Sequence, residues 1–492
     1  MSIQPGFNLD DLTPEQQRDA LDRAVNGLRN DDPLRSAAVS AVGWQRILLW
    51  TLLAITSAFV IWRPMQTAIA LLGLCTAAYV LTMTDRLLIF RRGLATRPIG
   101  VSDDEARGLP DADLPPYTIL VPAYNEPEVV ADLIGAMARL EYPADKLQIL
   151  LLLEADDEVT IAAAERCIAS KTITTVLVPP AEPRTKPKAC NYGLEFATGE
   201  IVTIYDAEDL PEPLQLRRVV AAFRELPDNI ACIQAKLAYH NGAQNLLTGW
   251  FTAEYGLWFG YLLPGMMGTS APIPLGGTSN HLRRDVLDLI GAWDPFNVTE
   301  DADLGLRICA RGYRTAVLDS TTLEEANSDP INWIRQRSRW YKGYLQTWLV
   351  HMRQPRQLIT TIGVGNFLRF NLLMAGTPVV AVLNMLFWYL TLVWFLGQPP
   401  IVGAVFPWYI YFPALAALIF GNAATFYMNV IALREDDRAD LLVPALTVQI
   451  FFIMMSVAAI KGLYQLIRNP SYWEKTFHGL AHPSEAEPTE TR

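Results

Sequence analysis

The sequence predicts an α/β domain set between helices that cross a membrane, and three observations carry that prediction. Between about 98 and 329, short continuous apolar runs (Thr118–Val121, Leu147–Leu153, Thr174–Val178 and Ile201–Tyr205) alternate with stretches of helical spacing. Apolar strands of this kind, separated by helices, belong to a mostly parallel sheet covered on both faces. On either side of this region lie long segments without charge, enough to cross a hydrocarbon core of about 30 Å. Polar, acid-rich motifs follow the apolar runs, and in such sheets ligands bind at the carboxyl ends of the strands.

The 492 residues are enough for one large domain together with membrane segments. The net charge of −11 argues against a nucleic-acid partner, whose phosphates need a basic face. Cys75, Cys167, Cys190, Cys232 and Cys309 are scattered, so no zinc site or disulfide framework follows. The polar stretch 1–43 has no secretory signal pattern. Thr13-Pro14 followed by Gln16 marks a helix start. Ala20, Leu21, Ala24, Val25 and Leu28 then recur at helical spacing, which predicts an amphipathic helix on the cytoplasmic side.

Ile47–Trp62 and Pro64–Thr84 carry no charge and predict a transmembrane hairpin over 44–85. Arg86, Arg91, Arg92 and Arg97 follow it, so by the positive-inside rule that side is cytoplasmic. The α/β domain occupies 98–330, and a segment of helical spacing covers 331–357. Phe370–Leu396 and Trp408–Leu433 are the spans expected within 358–434, with Arg434 and Arg438 after the second. Leu441–Ile460 is apolar too, but Lys461, Arg468 and Lys475 follow it. Four spans are therefore expected, with 441–480 forming an interfacial or re-entrant helix and a gating segment; five spans are the alternative. The acidic end, 481–492, reads as a disordered tail.

Five clusters occur in order: V-P-A-Y-N-E (121–126), L-E-A-D-D (153–157), Y-D-A-E-D (205–209), T-E-D (299–301) and Q-R-S-R-W (336–340). Each is weak alone. Together, flanked by membrane helices, they resemble the membrane-integrated family-2 glycosyltransferases, in particular the cellulose-synthase-like and hyaluronan-synthase-like processive branch. The resemblance covers nearly the whole chain. It implies a Rossmann-like nucleotide-diphospho-sugar transferase domain of the GT-A type in a bacterial inner membrane. It also implies inverting, metal-dependent transfer from a nucleotide-sugar donor, UDP-glucose or similar, to a growing β-linked polysaccharide. Export of the product and periplasmic export partners are further expectations. The alternative is single transfer to a lipid-linked acceptor. A catalytically silent membrane receptor on the same fold is a third reading, against which the full set of acidic motifs speaks.

The resemblance also assigns roles. Asp206 and Glu208 can present hard carboxylate oxygens to Mg²⁺ or Mn²⁺ at the donor diphosphate. The family has Asp-x-Asp, so Glu208 is a departure, and Asp209 stands beside it. Tyr124 and Glu126 should cradle the nucleotide, with Glu154 and Asp156 on its uracil or ribose side. Here Glu-Ala-Asp replaces the commoner Asp-Asp-Gly. Lys188, with Lys186, lies at a helix start suited to diphosphate. Asp301 is the expected general base, with Glu300 and Asp303 as substitutes. Gln336, Arg339 and Trp340 share one helix face, where arginine suits diphosphate and tryptophan suits a stacked sugar. Gly277 and Thr278 let an acceptor approach the backbone. The aromatic run Trp250, Phe251, Tyr255, Trp258 and Phe259 is either interfacial packing, the preferred reading, or the mouth of an acceptor channel. Trp473 to Gly479 is expected to close over the nucleotide.

Overall fold

The computed structural model describes residues 13–128, 130–167, 173–435 and 438–474. Its centre is an eight-stranded sheet in the order β3-β2-β1-β4-β7-β6-β8-β5. β1 (Tyr117–Ala123), β2 (Leu147–Glu154), β3 (Ile173–Val178) and β4 (Ile201–Ile204) are the strands expected from the apolar runs, and they pair in parallel. β2 is almost wholly buried, as a run with apolar residues on both faces must be.

The other half corrects the expectation of a mostly parallel sheet. β7 (Asn280–Arg283) runs antiparallel between β4 and β6 (Ile230–Tyr239). β8 (Arg314–Glu324) pairs parallel with β6 and antiparallel with β5 (Leu210–Pro211). β7 has only four residues and two of its side chains are polar or charged beyond Asn280, so no apolar run announces it. The chain leaves β6, makes the Leu246–Leu257 helix, and returns in the opposite direction.

The Pro14–Asp31 helix forms with the expected capping box: Thr13 Oγ1 accepts from Gln16 N at 3.3 Å, and Gln16 Oε1 accepts from Thr13 N at 2.9 Å. Its apolar stripe is covered by the domain, with Ala20, Ala24, Val25 and Leu28 buried. Asn191 Nδ2 donates to the Ala24 carbonyl at 3.0 Å, and Arg23 pairs with Glu195 at 2.7 Å.

Among the described residues, five helices are long and apolar enough to cross a membrane: Gly43–Trp62, Pro64–Ala95, Pro355–Gly397, Trp408–Arg434 and Val448–Arg468. Large apolar side chains such as Trp50, Ile61, Phe395 and Phe420 are exposed on them, as lipid-facing residues are. The second helix runs on past Thr84 as far as Ala95, because nothing in Asp85 to Ala95 breaks it. This extension crosses the segment after the Leu246–Leu257 helix at backbone contact. A Cβ on Gly93 would lie 2.1 Å from the Tyr261 carbonyl oxygen, and one on Gly265 would lie 2.2 Å from that of Ile89. The Val448–Arg468 helix meets the domain at both ends. Thr447 Oγ1 accepts from Trp250 Nε1 at 3.0 Å, and Lys461 pairs at 2.7 Å with Glu474, which also faces Arg335. Lys461 is thus neutralised beside the domain.

The crossing gives a stability test. Gly93→Ala forces two backbones apart and is expected to destabilise by about 1–3 kcal/mol, as overpacking does. A lowered thermal midpoint of the purified protein in detergent checks this; an unchanged midpoint shows that the crossing is looser than its geometry.

Candidate functional site

A cavity of about 530 Å³ opens at the carboxyl ends of β1, β2 and β4 and extends to the helices beyond the domain. β1 delivers Tyr124 and Glu126 to it, β2 delivers Glu154, and the turn after β4 delivers Asp206 and Glu208. The strand ends converge because three parallel strands in register stop at one edge. Asn125, with φ 51°, turns the chain sharply after β1.

The opposite wall is helical. Glu300 and Asp301 open the Glu300–Ala310 helix, while Gln336, Arg339 and Trp340 project from the Pro330–His351 helix. The two helices are joined below the cavity. Asn297 Nδ2 donates to Thr347 Oγ1 at 2.9 Å, Gln346 Nε2 to the Phe296 carbonyl at 2.9 Å, and His351 Nε2 meets Asp303 Oδ1 at 2.9 Å. Asp303 is fully buried between His351 and Arg307, whose Nε lies 2.7 Å away. Burial opposes its charge, but Arg307 and His351 hold Asp303 below the usual carboxylate range. Asp303 therefore anchors the helix and is not among the cavity residues.

The cavity concentrates carboxylates, and cations hold them. Lys186 Nζ contacts Asp206 Oδ1 and donates to the Gly277 carbonyl at 2.7 Å. Burial works against the Lys186 charge, but Asp206, with Cys190 and Glu300, keeps it above the ordinary lysine range. Arg339 faces Glu300, Asp301 and Asp206 and lies 4.3 Å over the Trp473 ring. Burial, then the neighbouring Asp301 charge, pushes Glu300 up to about 8. Asp301 is raised by burial, against the pull of the Ala302 N–H, Lys186 and Arg339. Gly277 leaves room in front of this carboxylate, since a Cβ there would lie 3.4 Å from Asp301 Oδ2. Asp209 sits behind: its Oδ2 accepts from the Asp206 N–H at 2.6 Å and from Thr278 Oγ1, fixing the turn.

Twelve of the residues singled out from sequence thus line one cavity: Tyr124, Glu126, Glu154, Asp206, Glu208, Gly277, Thr278, Glu300, Asp301, Gln336, Arg339 and Trp340. Two do not. Lys188 is fully buried and donates to Glu154 at 2.8 Å, so it supports that carboxylate from below, and Lys186 takes the cavity position. Asp156 pairs at 2.6 Å with Arg184, and it is Arg184 that lines the cavity. Lys186 and Lys188, alike in type and two apart, exchange the expected roles through side-chain direction, which spacing alone does not give.

Sequence reading missed Glu324. It ends β8 at the cavity, where burial and the charges of Asp209, Asp206 and Glu208 push its carboxyl well above the usual range. The pair Glu324-Glu325 just before a helix start was the available signal. Of the aromatic run, Trp250, Tyr255, Trp258 and Phe259 line the cavity and Phe251 packs behind them. Tyr255 stacks on Trp340 with ring centroids 6.3 Å apart and planes 26° from parallel. Trp473 is a cavity residue; the remainder of the expected gating segment, from Lys475, lies outside the described residues.

Asp206 and Glu208 fit a hard divalent cation. No group of three or more His, Cys, Asp or Glu side chains forms a cage among the described residues. Two carboxylates on a polar turn suit an ion whose other ligands come from substrate phosphates and water.

The sequence model of the family described as "Glycosyltransferase like family 2" matches residues 115–343. A beta-monoglucosyldiacylglycerol synthase of Synechocystis sp. is 27% identical over 286 residues, 56% of this chain and 58% of that protein. The cellulose synthase 1 catalytic subunit (UDP-forming) of Komagataeibacter xylinus is 28% identical over 243 residues, 48% of this chain and 32% of that protein. The chain thus spans less than two thirds of either relative's length. A mannosyltransferase from Pyrobaculum calidifontis, solved in complex with GDP-Man and Mn²⁺, matches with a TM-score of 0.52 at 19% identity, over 81% of this chain and 99% of that one. At that identity the likeness is one of fold. With its strand-end carboxylates, its mixed sheet and these matches, the segment 115–343 is a family-2 glycosyltransferase domain of GT-A-like α/β fold.

Proposed function

We propose that this chain transfers a glycosyl group from a nucleotide-sugar donor to an acceptor hydroxyl, with inversion and with a divalent cation. The observation that carries the reading is that Asp206, Lys186, Asp301, Arg339 and Trp340, drawn from three distant stretches, share one cavity. The nucleotide lies on the β1 and β2 side, against Tyr124, Glu126 and Glu154. Lys186 and Arg339 bind the diphosphate. Asp206 and Glu208 would hold Mg²⁺ or Mn²⁺, which would supply charge neutralisation to the departing diphosphate. Asp301 takes the proton of the attacking hydroxyl, and its raised carboxyl is a stronger base than an ordinary aspartate. Glu300 is protonated at neutral pH, so it does not compete for that proton. Trp340, with Tyr255, offers a flat face for the acceptor sugar.

The acceptor expected from the Gln-x-x-Arg-Trp resemblance is a growing β-linked polysaccharide. One feature favours the second reading, a lipid-linked acceptor: the cavity continues between the membrane-type helices, past Leu373, Phe451, Phe452 and Met455. The relative that makes beta-monoglucosyldiacylglycerol supports the same reading. On topology, a Val448–Arg468 helix that meets the domain at both ends suits a position in the interface and four spans, with the domain in the cytoplasm.

Purified protein given candidate nucleotide sugars should release nucleoside diphosphate in Mg²⁺ or Mn²⁺. Asp206→Asn or Glu208→Gln should abolish that release while the protein stays folded; full turnover in EDTA would refute the metal. The two acids at the helix start separate by titration. A base must be ionised, so kcat/KM should rise as pH climbs through the raised Asp301 value, above the ordinary aspartate range. Asp301→Asn should lose about 10²–10⁴-fold in kcat yet keep nucleotide affinity. Glu300→Gln, which copies the protonated form, should stay within about tenfold at pH 7 and lose any rate change near 8. Equal losses in both variants would make Glu300 the base. Trp340→Ala should shorten a polymeric product or divert the donor to hydrolysis; unchanged product and rate would leave Trp340 as packing.

A further inference from the structure

Arg86 has no place in the reaction as described. It stands on the Pro64–Ala95 helix, a little over one turn short of Arg91 and Arg92, and lines the cavity. Among the described residues it makes no hydrogen bond, ion pair or ring contact, and its Nε is buried without a partner. The groups facing it are Glu254, Tyr341 and Tyr79. Glu254 is already gripped by both terminal nitrogens of Arg337, one of them at 3.1 Å. Arg337 also has a buried Nε without a partner, and its guanidinium lies 4.3 Å over the Trp340 ring. One carboxylate therefore serves two guanidiniums, and one positive charge is left over.

This surplus is separate from the cations that balance the catalytic acids. Lys186 and Arg339 face Asp206, Glu300 and Asp301; Arg86 faces none of these. A guanidinium that lines a cavity from a membrane helix, with its Nε buried and no protein partner among the described residues, marks a ligand site. The cavity beside it is lined by Leu373, Phe451, Phe452 and Met455, with Thr425 and Asn429 between them. A ligand here thus meets a cationic fork at one end and an apolar slot at the other.

We propose that Arg86, beside the Arg337–Glu254 pair, seats a phosphate group, and that the acceptor is a phosphate-headed amphiphile whose chain lies between the membrane-type helices. The proposal rests on the reading of the cavity as a glycosyl-transfer site open to the membrane. A guanidinium fork matches two phosphate oxygens, and the surplus charge complements an anion. A hydroxyl borne on a group attached beyond that phosphate then extends along Trp340 and Tyr255 toward Asp301.

The test is binding to the full chain in neutral detergent, by titration calorimetry, with four probes: dodecyl phosphate, dodecanoate, dodecanol and inorganic phosphate. Dodecyl phosphate should bind at least about tenfold more tightly than either other amphiphile, in keeping with a charge-assisted bidentate contact. Inorganic phosphate at millimolar concentration should not compete. Arg86→Gln should remove the preference for phosphate, Arg86→Lys should keep part of it, and UDP or GDP affinity should be unchanged in both. Equal binding of dodecanol or dodecanoate by the unaltered protein overturns the proposal without recourse to any variant. Competition by inorganic phosphate makes the seat a free-anion site and also overturns it, as does a fall in nucleotide affinity with Arg86→Gln. Nucleotide binding without phosphate preference removes only the seat; absence of nucleotide binding removes the transfer reading itself.

Discussion

The constraint on which the structure depends is the crowding of carboxylates in a poorly solvated cavity. Asp206, Glu208, Glu300, Asp301 and Glu324 all reach it, and Asp209 lies just behind. Like charges this close cannot all ionise away from water. The protein resolves the conflict in two ways. Lys186 and Arg339 compensate some of the acids directly. Glu300 is pushed up to about 8 by burial and by Asp301, and Glu324 is raised by burial and by the charges of Asp209, Asp206 and Glu208.

Holding that arrangement demands that strand ends and helix starts keep fixed distances. The strand side is rigid because β1, β2 and β4 are parallel and buried. The helical side is rigid because Gln346 and Thr347 tie the loop before Glu300, and His351 ties Asp303 of the Glu300–Ala310 helix, to the Pro330–His351 helix. The same buried layer holds the stretch that leads into the first apolar helix. Arg353 donates to the carbonyls of Pro33, Leu34 and Ser36 at 3.0–3.1 Å, and Asp294 accepts from Ser36 Oγ at 3.2 Å. The Glu300 helix, the Gln336 helix and the entrance to the first apolar helix thus form one block.

The cavity is chemically graded. Its strand end is rich in acids and cations; its middle is aromatic, with Tyr255 on Trp340; its far end is apolar between long helices. The aromatic stretch from Trp250 to Phe259 serves both ends of that gradient, because a helix sends some side chains to the cavity and others, such as Phe251, into packing.

Much of this was legible in the chain itself. Short apolar runs bounded by polar segments read as strands of a covered sheet, so β1 to β4 and the acids that follow them were visible, although β3, at the sheet edge, is buried on one face only. The capping box of the Pro14–Asp31 helix and the charge-free segments were equally local signals. Three things were decided only by the tertiary structure. Strand direction was one: β7 is too short and polar to show in a pattern, and its antiparallel course follows from the path of the chain between β6 and β7. Side-chain direction was another: Lys186 and Lys188 are alike in sequence, yet one faces the cavity and the other is buried under Glu154, since residues two apart on a helix point to different sides. The third was partnership. Asp303 stands two residues from Asp301 but is bound by Arg307 and His351, while Arg86, one among several arginines after the second apolar segment, has no hydrogen-bond or ion-pair partner among the described residues. Long-range contacts determine which charges are paired, and no local pattern encodes them.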